Sequence, residues 1–430
     1  MNILIVGMGY VGVTTGLILA ELGWKVTGFD TNEAKLNRLA VGTLPFYEPG
    51  LDVLLEEHSR AGSISFTSDF ETALREHPII FLCVGTPSRP DGSADLQFIR
   101  QAAEQIGSLM TEYKLVVIKS TVPVGTNEQV VRWIGEAQRE PVSFDVISNP
   151  EFLREGSALH DALHPDRVVI GSTNKQATAI ITALYKDMTC PLIVTKPQTA
   201  EMIKYAANAF LATKISFINE LSRLCDRLGV SVTDVAHGMG TDPRIGPHFL
   251  RAGIGFGGSC FPKDIQALLY TAKEHGSEMT LLNSVVAVNQ TQISYAVHNW
   301  ERTFGSFRNK TVALLGLSFK PETDDQRESP ALSVLKHLME EKAIVRVHDP
   351  VSKLPADMAS DRVRQFETLE DTVAACDAVI LCTEWKQYTT ADWGLLKESM
   401  RQHYFLDGRN ALDGKRMSSL GFSYRCLGNP

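Results

Sequence analysis

Residues 2–12 read N-I-L-I-V-G-M-G-Y-V-G, and residues 25–30 read K-V-T-G-F-D. The apolar run 3–6 predicts a strand. Gly7, Gly9 and Gly12 follow it in the spacing G-x-G-x-x-G, and a helical stretch comes next. In a first βα turn each glycine has a distinct use: a tight turn, a close backbone approach to a pyrophosphate, and close packing of helix on strand. The phosphates then sit at the positive end of the helix. Asp30 ends the second predicted strand, near the spacing at which an acid meets the ribose diol. Its carboxylate accepts from that diol and repels a 2′-phosphate, so the expected cofactor is NAD and not NADP. A plain tight turn is the alternative, and it leaves the register of strand, helix and acid unexplained. Lys35 could reach the adenosine side or could be a solvated surface lysine.

Outward from this unit the strand–helix alternation continues. Predicted strands are Ile3–Val6, Lys25–Phe29, Ile79–Val84, Leu115–Lys119, Phe144–Ile147 and Arg167–Ile170. Continuously apolar strands alternating with helices argue for a parallel sheet covered on both faces. Ligands bind beyond the carboxyl ends of such strands. That places Thr86 (in Cys83-Val84-Gly85-Thr86-Pro87) and Thr121 (in Lys119-Ser120-Thr121-Val122-Pro123) within reach of the cofactor. Simple turn chemistry is the competing explanation. From about Thr199 the texture becomes helical, with a stop at Gly229 and a second helical stretch from about Glu278 to Arg302. A long helix here would be a spine, and its apolar excess could serve a dimer. Alternation returns with predicted strands Thr311–Leu315, Ile344–His348, Val379–Cys382 and Tyr404–Leu406, and Ser329-Pro330 predicts a capped helix start. The expected fold is therefore α/β: two Rossmann-like doubly wound α/β domains joined by a helical central region with a long connecting helix. The expected boundaries are 1–198, 199–305 and 306–430.

The 430 residues are 44% hydrophobic and 21% charged, enough for a sizeable core, with a formal net charge of −8. An acidic chain is a poor sequence-independent nucleic-acid binder. Seven cysteines are scattered without a CxxC. This argues against a disulfide framework or a cysteine zinc site and for reduced thiols in the cytoplasm. No metal is expected. The N-terminal apolar run leads straight into the glycine loop and reads as a strand, not a leader. No apolar stretch approaches the length of about 18 residues needed to span a membrane.

Residues 255–264, G-F-G-G-S-C-F-P-K-D, pose a second problem. Pro262 suits the first position of a helix. Cys260 then precedes the helix's positive end and lies beside Lys263, two influences that favour a thiolate. The other six cysteines read as packed and inert. Asp264 could act as a base, orient a water, or simply complement the helix dipole. Lys204 and Asn208 stand at i, i+4 on an otherwise apolar helix, an arrangement that could stabilise an oxyanion. Glu151 and Glu155, in N-P-E-F-L-R-E, follow another strand and could position water or substrate, or pair with arginines. A hydride acceptor and a thiolate in one chain suggest a four-electron oxidation. An alcohol becomes an aldehyde, the thiolate makes its carbon tetrahedral, a second hydride leaves a thioester, and water releases an acid.

The motifs G-M-G-Y-V-G, C-V-G-T-P, S-T-V-P-V-G-T, N-P-E-F-L-R-E-G-S-A-L-H-D, G-I-G-F-G-G-S-C-F-P-K-D, G-L-S-F-K-P-E-T-D-D-Q-R-E-S-P-A-L and D-G-R-N resemble those of the UDP-glucose 6-dehydrogenase family of nucleotide-sugar dehydrogenases. The resemblance spans essentially the whole chain. It implies oxidation of UDP-glucose at C6 to UDP-glucuronate with two NAD+. It implies Cys260 as nucleophile, Lys204 and Asn208 as oxyanion stabilisers, Asp264 as acid/base or water activator, and Thr121 and Glu155 as holders of a water and cofactor contacts. It assigns Val11, Asp30, Lys35, Thr86, Lys263 and Arg327 to the cofactor. To the substrate it assigns Glu151, Phe152, Leu153, Arg154, Glu155, Phe249, Leu250, Arg251, Ala252, Gly253, Gly257 and Lys320. Arg244 is expected to reach a neighbouring subunit's substrate in a homodimer or larger homo-oligomer. The second α/β unit, with Gly316-Leu317-Ser318-Phe319-Lys320 in place of a G-x-G-x-x-G loop, is expected to hold the UDP half. Ser318 stands where alanine is more usual. Rival readings are a GDP-mannose 6-dehydrogenase, a UDP-N-acetylhexosamine dehydrogenase (where a histidine is expected at Ser259), a single-step β-hydroxyacid dehydrogenase needing no thiol, and a non-catalytic nucleotide-sugar sensor.

Overall fold

The computed structural model describes residues 1–429. Strands β1 (Asn2–Val6), β2 (Lys25–Phe29), β3 (Ile64–Thr67), β4 (Ile79–Leu82), β5 (Lys114–Ile118), β6 (Phe144–Ser148), β7 (Val168–Gly171) and β8 (Leu192–Thr195) form one sheet in the order β3-β2-β1-β4-β5-β6-β7-β8. Neighbours pair in parallel except β6 with β7, which meet antiparallel at Ser148 and Gly171. β1 shows why the sheet needs cover on both faces. Ile3 and Ile5 enter one core, while Leu4 and Val6 enter the other. Alternate residues of a strand point to opposite faces, so a doubly covered strand must be apolar throughout.

A second sheet repeats the plan. β9 (Thr311–Leu315), β10 (Ile344–His348), β11 (Val363–Gln365), β12 (Ala378–Leu381), β13 (Tyr404–Asp407) and β14 (Ser423–Arg425) run in the order β11-β10-β9-β12-β13-β14, all parallel. Again Val312 and Leu314 face one core, and Ala313 and Leu315 the other. In both sheets the strand order reverses beside the first strand, the position at which open α/β sheets bind ligands.

The helical stretch that separates the sheets holds the helix Pro197–Leu228, which stops at Gly229 (φ +68°), and the helix Thr280–Phe304. The expected α/β architecture with a long connecting helix is present. The chain forms two compact units: Met1–Ala207 with Lys263–Glu278, and Asn208–Pro262 with residues from Met279 onward. The long helix begins in the first and continues in the second. Ser329 caps helix Pro330–Glu340, its hydroxyl accepting from Ala331 N, with proline in the first turn as the sequence predicts. Among the described residues no helix is long and apolar enough to cross a membrane.

Candidate active site

In the first unit, Gly7 adopts φ +95° and its N–H donates to the Phe29 carbonyl at 2.8 Å. A Cβ on Gly12 would lie 1.9 Å from the Gly7 carbonyl oxygen, so helix Tyr10–Glu21 can start this close to the strand only with glycine there. A Cβ on Gly9 would meet nothing within 4 Å, the clearance that a pyrophosphate approaching the backbone needs. Asp30 is buried and accepts from Met8 N, Asn32 N and Lys35 Nζ (2.9, 2.9 and 2.6 Å). Burial raises its carboxyl, but Lys35 and the two amides outweigh that and hold it below the usual 3.8. Lys35 is therefore a partner of Asp30, not a free surface lysine. Val11 packs against the core below the loop. These residues fit an NAD adenosine half, with a carboxylate ready for a ribose diol.

The loops after β4 and β5 meet, since the Thr86 hydroxyl donates to the Thr121 carbonyl at 2.8 Å. Thr121, Ser120, Ser148, Glu201 and Lys204 line a small cavity on the scale of a single water. Lys204 Nζ lies 2.9 Å from Glu151 Oε1, with both side chains buried. Glu151 Oε2 accepts from Leu153 N at 2.5 Å. Burial pushes Glu151 up, yet the Lys204 charge and hydrogen bond, Leu153 N and the charge of Lys119 keep it below the ordinary 4.5. Glu151 thus pairs with a lysine, where the sequence had offered arginine partners. Arg154 is engaged by Asp161 through two nitrogens. The Phe152 ring lies 3.8 Å from the Arg167 guanidinium and 5.4 Å from Lys204 Nζ. Glu155 is buried. Helix Phe261–Glu274 carries Lys263 and Asp264 in its first turn, 2.6 Å apart, with Asp264 only 2% exposed.

In the second unit, Cys260 immediately precedes that helix. The helix starts at Phe261, which places Pro262 second and not first. Cys260 is partly exposed, and its Sγ lies 3.6 Å from the Ser259 hydroxyl. All seven cysteines are free thiols. Burial raises the other six: Cys83, Cys376, Cys382 and Cys426 to about 12, and Cys190 and Cys225 above the ordinary 9.0. The glycines ahead of Cys260 are required by contact. A Cβ on Gly257 would lie 2.0 Å from the Glu328 carbonyl oxygen, and one on Gly258 (φ +85°) would lie 2.7 Å from the Phe319 ring. The Phe249–Gly253 stretch begins at Phe249 with φ +64°, and Gly253 N donates to Asn219 Oδ1. Leu250 and Ala252 are buried, and Arg251 lies 3.7 Å from Glu384. Asn208 is buried on the long helix. Lys320 lies over the Phe319 ring at 5.4 Å. Arg327 folds back bidentately on Asp325, and Arg244 does the same on Asp242 with its side chain 87% exposed. Asp349, the residue after β10, accepts from Leu317 N and Ser318 N. This repeats the Asp30 device. Ser318 adds a hydroxyl contact to the same oxygen at 3.4 Å.

Three residues escaped the sequence reading. Arg409, in D-G-R-N, donates to the carbonyls of Gly255, Cys382 and Phe319 (2.9, 2.7 and 3.0 Å) and so anchors the loop that leads to the thiol. Glu201 accepts from Gly125 N and Asn127 N at the start of helix Thr126–Ala137, and burial raises it to about 7. Lys119 donates to Asn149 Oδ1, and burial lowers it to about 8. Arg409 lies within the D-G-R-N motif. Glu201 shares a helix face with Lys204 and Asn208, which was a usable signal.

Three family models cover the chain in order: the NAD binding domain of the UDP-glucose/GDP-mannose dehydrogenase family at residues 1–189, its central domain at 198–291 and its UDP binding domain at 313–414. The chain belongs to the UDP-glucose/GDP-mannose dehydrogenase family. It is 43% identical to the UDP-glucose 6-dehydrogenase TuaD of Bacillus subtilis, over 100% of this chain and 93% of that protein. The structure of a UDP-glucose dehydrogenase from Pyrobaculum islandicum superposes with a TM-score of 0.88 at 42% identity, covering 95% of this chain and 94% of that one. A UDP-D-ManNAc dehydrogenase from Pyrococcus horikoshii gives the same TM-score at 29% identity, over 100% and 99%. The shared fold therefore does not separate sugars, and the identity is higher to the UDP-glucose enzymes.

Proposed function

We propose that this family member is an NAD-dependent UDP-glucose 6-dehydrogenase that converts UDP-glucose, two NAD+ and water to UDP-glucuronate and two NADH. The observation that carries the reading is the combination, in one chain, of an Asp30-capped glycine loop and a cysteine outside any disulfide that heads a helix after two obligatory glycines. Bound NAD supplies a hydride acceptor for each oxidation. Cys260 adds to the C6 aldehyde and holds it tetrahedral, then carries the thioester. Lys204 and Asn208 donate to the oxygen on C6 while it bears negative charge. The Glu151 contact orients Lys204, and charge neutralisation by one carboxylate keeps the buried ammonium tolerable. Thr121 and Glu155 hold the hydrolytic water; for Thr121 the water-sized cavity that it lines with Lys204 supports the role. Asp264 moves the proton of that water.

Val11, Thr86, Lys263 and Arg327 complete the cofactor contacts. Phe152, Leu153, Arg154, Phe249 to Gly253, Gly257 and Lys320 complete those to UDP-glucose. The domains are read as 1–198, 199–305 and 306–430, and the protein as cytoplasmic. The enzyme works as a homodimer or larger homo-oligomer. Phe210, Phe217 and Leu224 leave 65%, 47% and 50% of their surface exposed along the long helix. Their seven-residue spacing makes one apolar stripe suited to a second copy, with Arg244 free to swing from Asp242 to a neighbouring substrate. The test counts NADH per UDP-glucose, with GDP-mannose and UDP-galactose as comparison substrates. A yield of about two with UDP-glucose supports the reading. A yield near one, or preference for GDP-mannose, overturns it.

A further inference from the structure

Glu48 lies between helices Glu33–Ala40 and Leu51–Ala61, with its residue only 3% exposed. Its one carboxylate gathers donors from two distant segments. Oε2 accepts from the Tyr10 hydroxyl at 2.5 Å and from Gly156 N at 2.6 Å, and Oε1 accepts from Ala158 N at 2.7 Å. Two packing contacts join the same three segments. The Phe46 ring lies 4.8 Å from that of Tyr10, and a Cβ on Gly50 would lie 3.2 Å from the Leu159 side chain. Tyr10 is where the glycine loop becomes helix. Gly156 directly follows Glu155 and adopts φ +78°. A buried carboxylate needs such donors, and bonds of this charge-assisted kind are the stronger class. Burial, the Glu48 bond and the charges of Glu48, Glu155 and Glu151 push the Tyr10 phenol far up, so it remains a donor at any working pH.

We infer that Glu48 is a positioning residue, tying the cofactor's glycine loop to the backbone that places Glu155, so that one carboxylate sets both the seat of the cofactor and the hydrolytic group. This rests on the reading of Glu155 as a holder of the hydrolytic water. In either amide orientation of Glu48→Gln the NH2 faces a backbone N–H, that of Gly156 or that of Ala158, so at least one backbone tie is lost. A misplacement of about 1 Å costs on the order of 100-fold in rate.

The test uses the full chain as Glu48→Gln, Glu48→Asp, Tyr10→Phe and Glu155→Gln, followed by stopped-flow NADH formation and by KM for NAD. Slow hydrolysis leaves the thioester to accumulate. Glu48→Gln and Glu155→Gln should therefore both show a burst of about two NADH per active site before a slow steady state, a signature that general loosening of the fold does not produce. Glu48→Gln should also lose roughly 30- to 100-fold in kcat. Tyr10→Phe should raise the KM for NAD about threefold, and Glu48→Asp should recover part of the Gln loss. If Glu155→Gln bursts and Glu48→Gln turns over within about twofold of wild type, the tie is refuted and the reading of Glu155 survives. If Glu155→Gln itself behaves as wild type, that reading fails and takes the tie with it. Should Glu48→Gln not fold, an unchanged KM for NAD in Tyr10→Phe overturns the inference.

Discussion

In the proposed mechanism Lys204 carries two duties, an ion pair with Glu151 and oxyanion stabilisation, that one substitution pattern can separate. Its ammonium sits 2.9 Å from Glu151 Oε1, and the two side chains are 4% and 6% exposed. Lys204→Met leaves that carboxylate buried with Leu153 N and the nearby charge of Lys119. Removing one partner of a buried pair costs about 3–5 kcal/mol, because the other charge is stranded. The remaining partners place the expected loss at the low end, about 3 kcal/mol. The pH dependence has a definite sign. In the wild type Glu151 lies below its ordinary 4.5, so its stabilisation is present above that pH and is lost as pH falls through the folded value. Without Lys204 the burial effect dominates and Glu151 rises above 4.5. The variant's penalty is then full near neutrality and fades as the pH approaches 4.5. Urea unfolding followed by circular dichroism, at mildly alkaline and mildly acidic pH, reads this directly. Lys204→Met/Glu151→Gln should regain most of the stability by removing the stranded charge, while turnover stays lost. A single variant within about 0.5 kcal/mol of wild type, a deficit independent of pH, or a double variant that recovers nothing would refute the reasoning.

Gly257→Ala should lower stability by about 2 kcal/mol and cut turnover, because its Cβ would sit 2.0 Å from a backbone oxygen of Glu328 in the loop leading to Cys260; thermal unfolding and NADH formation check both, and an unchanged pair of values contradicts the packing. Lys119→Met should stabilise the protein by up to about 3 kcal/mol at neutral pH, since burial brings Lys119 from 10.5 to about 8. That cost is full below about 8 and vanishes as the pH rises to 10.5, so the variant's advantage in unfolding midpoint must fade over the same interval.

How much of this was legible in the sequence follows from where each residue sits. Ten of the strands, all flanked on both sides in their sheets, show as apolar runs. The four that the sequence reading passed over, β3, β8, β11 and β14, are the four sheet edges. β11 (V-R-Q) and β14 (S-Y-R) are three residues long and half-solvated, so neither a continuous apolar run nor a clear alternation marks them, and the four-residue alternation of β3 (I-S-F-T) is too short to stand out; β8 (L-I-V-T) is an apolar run and was readable as a strand. Cys260, the proposed nucleophile, stands out in the sequence because glycines, a thiol and a proline at a helix start are rare together. Glu48 and Lys119 do not, for a related reason. Each is one polar residue whose partners come from segments distant in the chain, as with Glu48 and the amides 108 and 110 positions away. Local pattern carries no record of such meetings. The start of helix Phe261–Glu274 differs by one position from the proline rule, within the usual latitude of helix ends.

The most direct measurement of the central claim is the mass of the Cys260 peptide after rapid acid quench of enzyme turning over UDP-glucose and NAD+. A UDP-glucuronyl thioester on Cys260, accumulating in Glu155→Gln and absent from Cys260→Ser, is the predicted result. Two NADH per UDP-glucose from the Cys260→Ser enzyme at the wild-type rate, or an adduct on any other cysteine, would contradict the account.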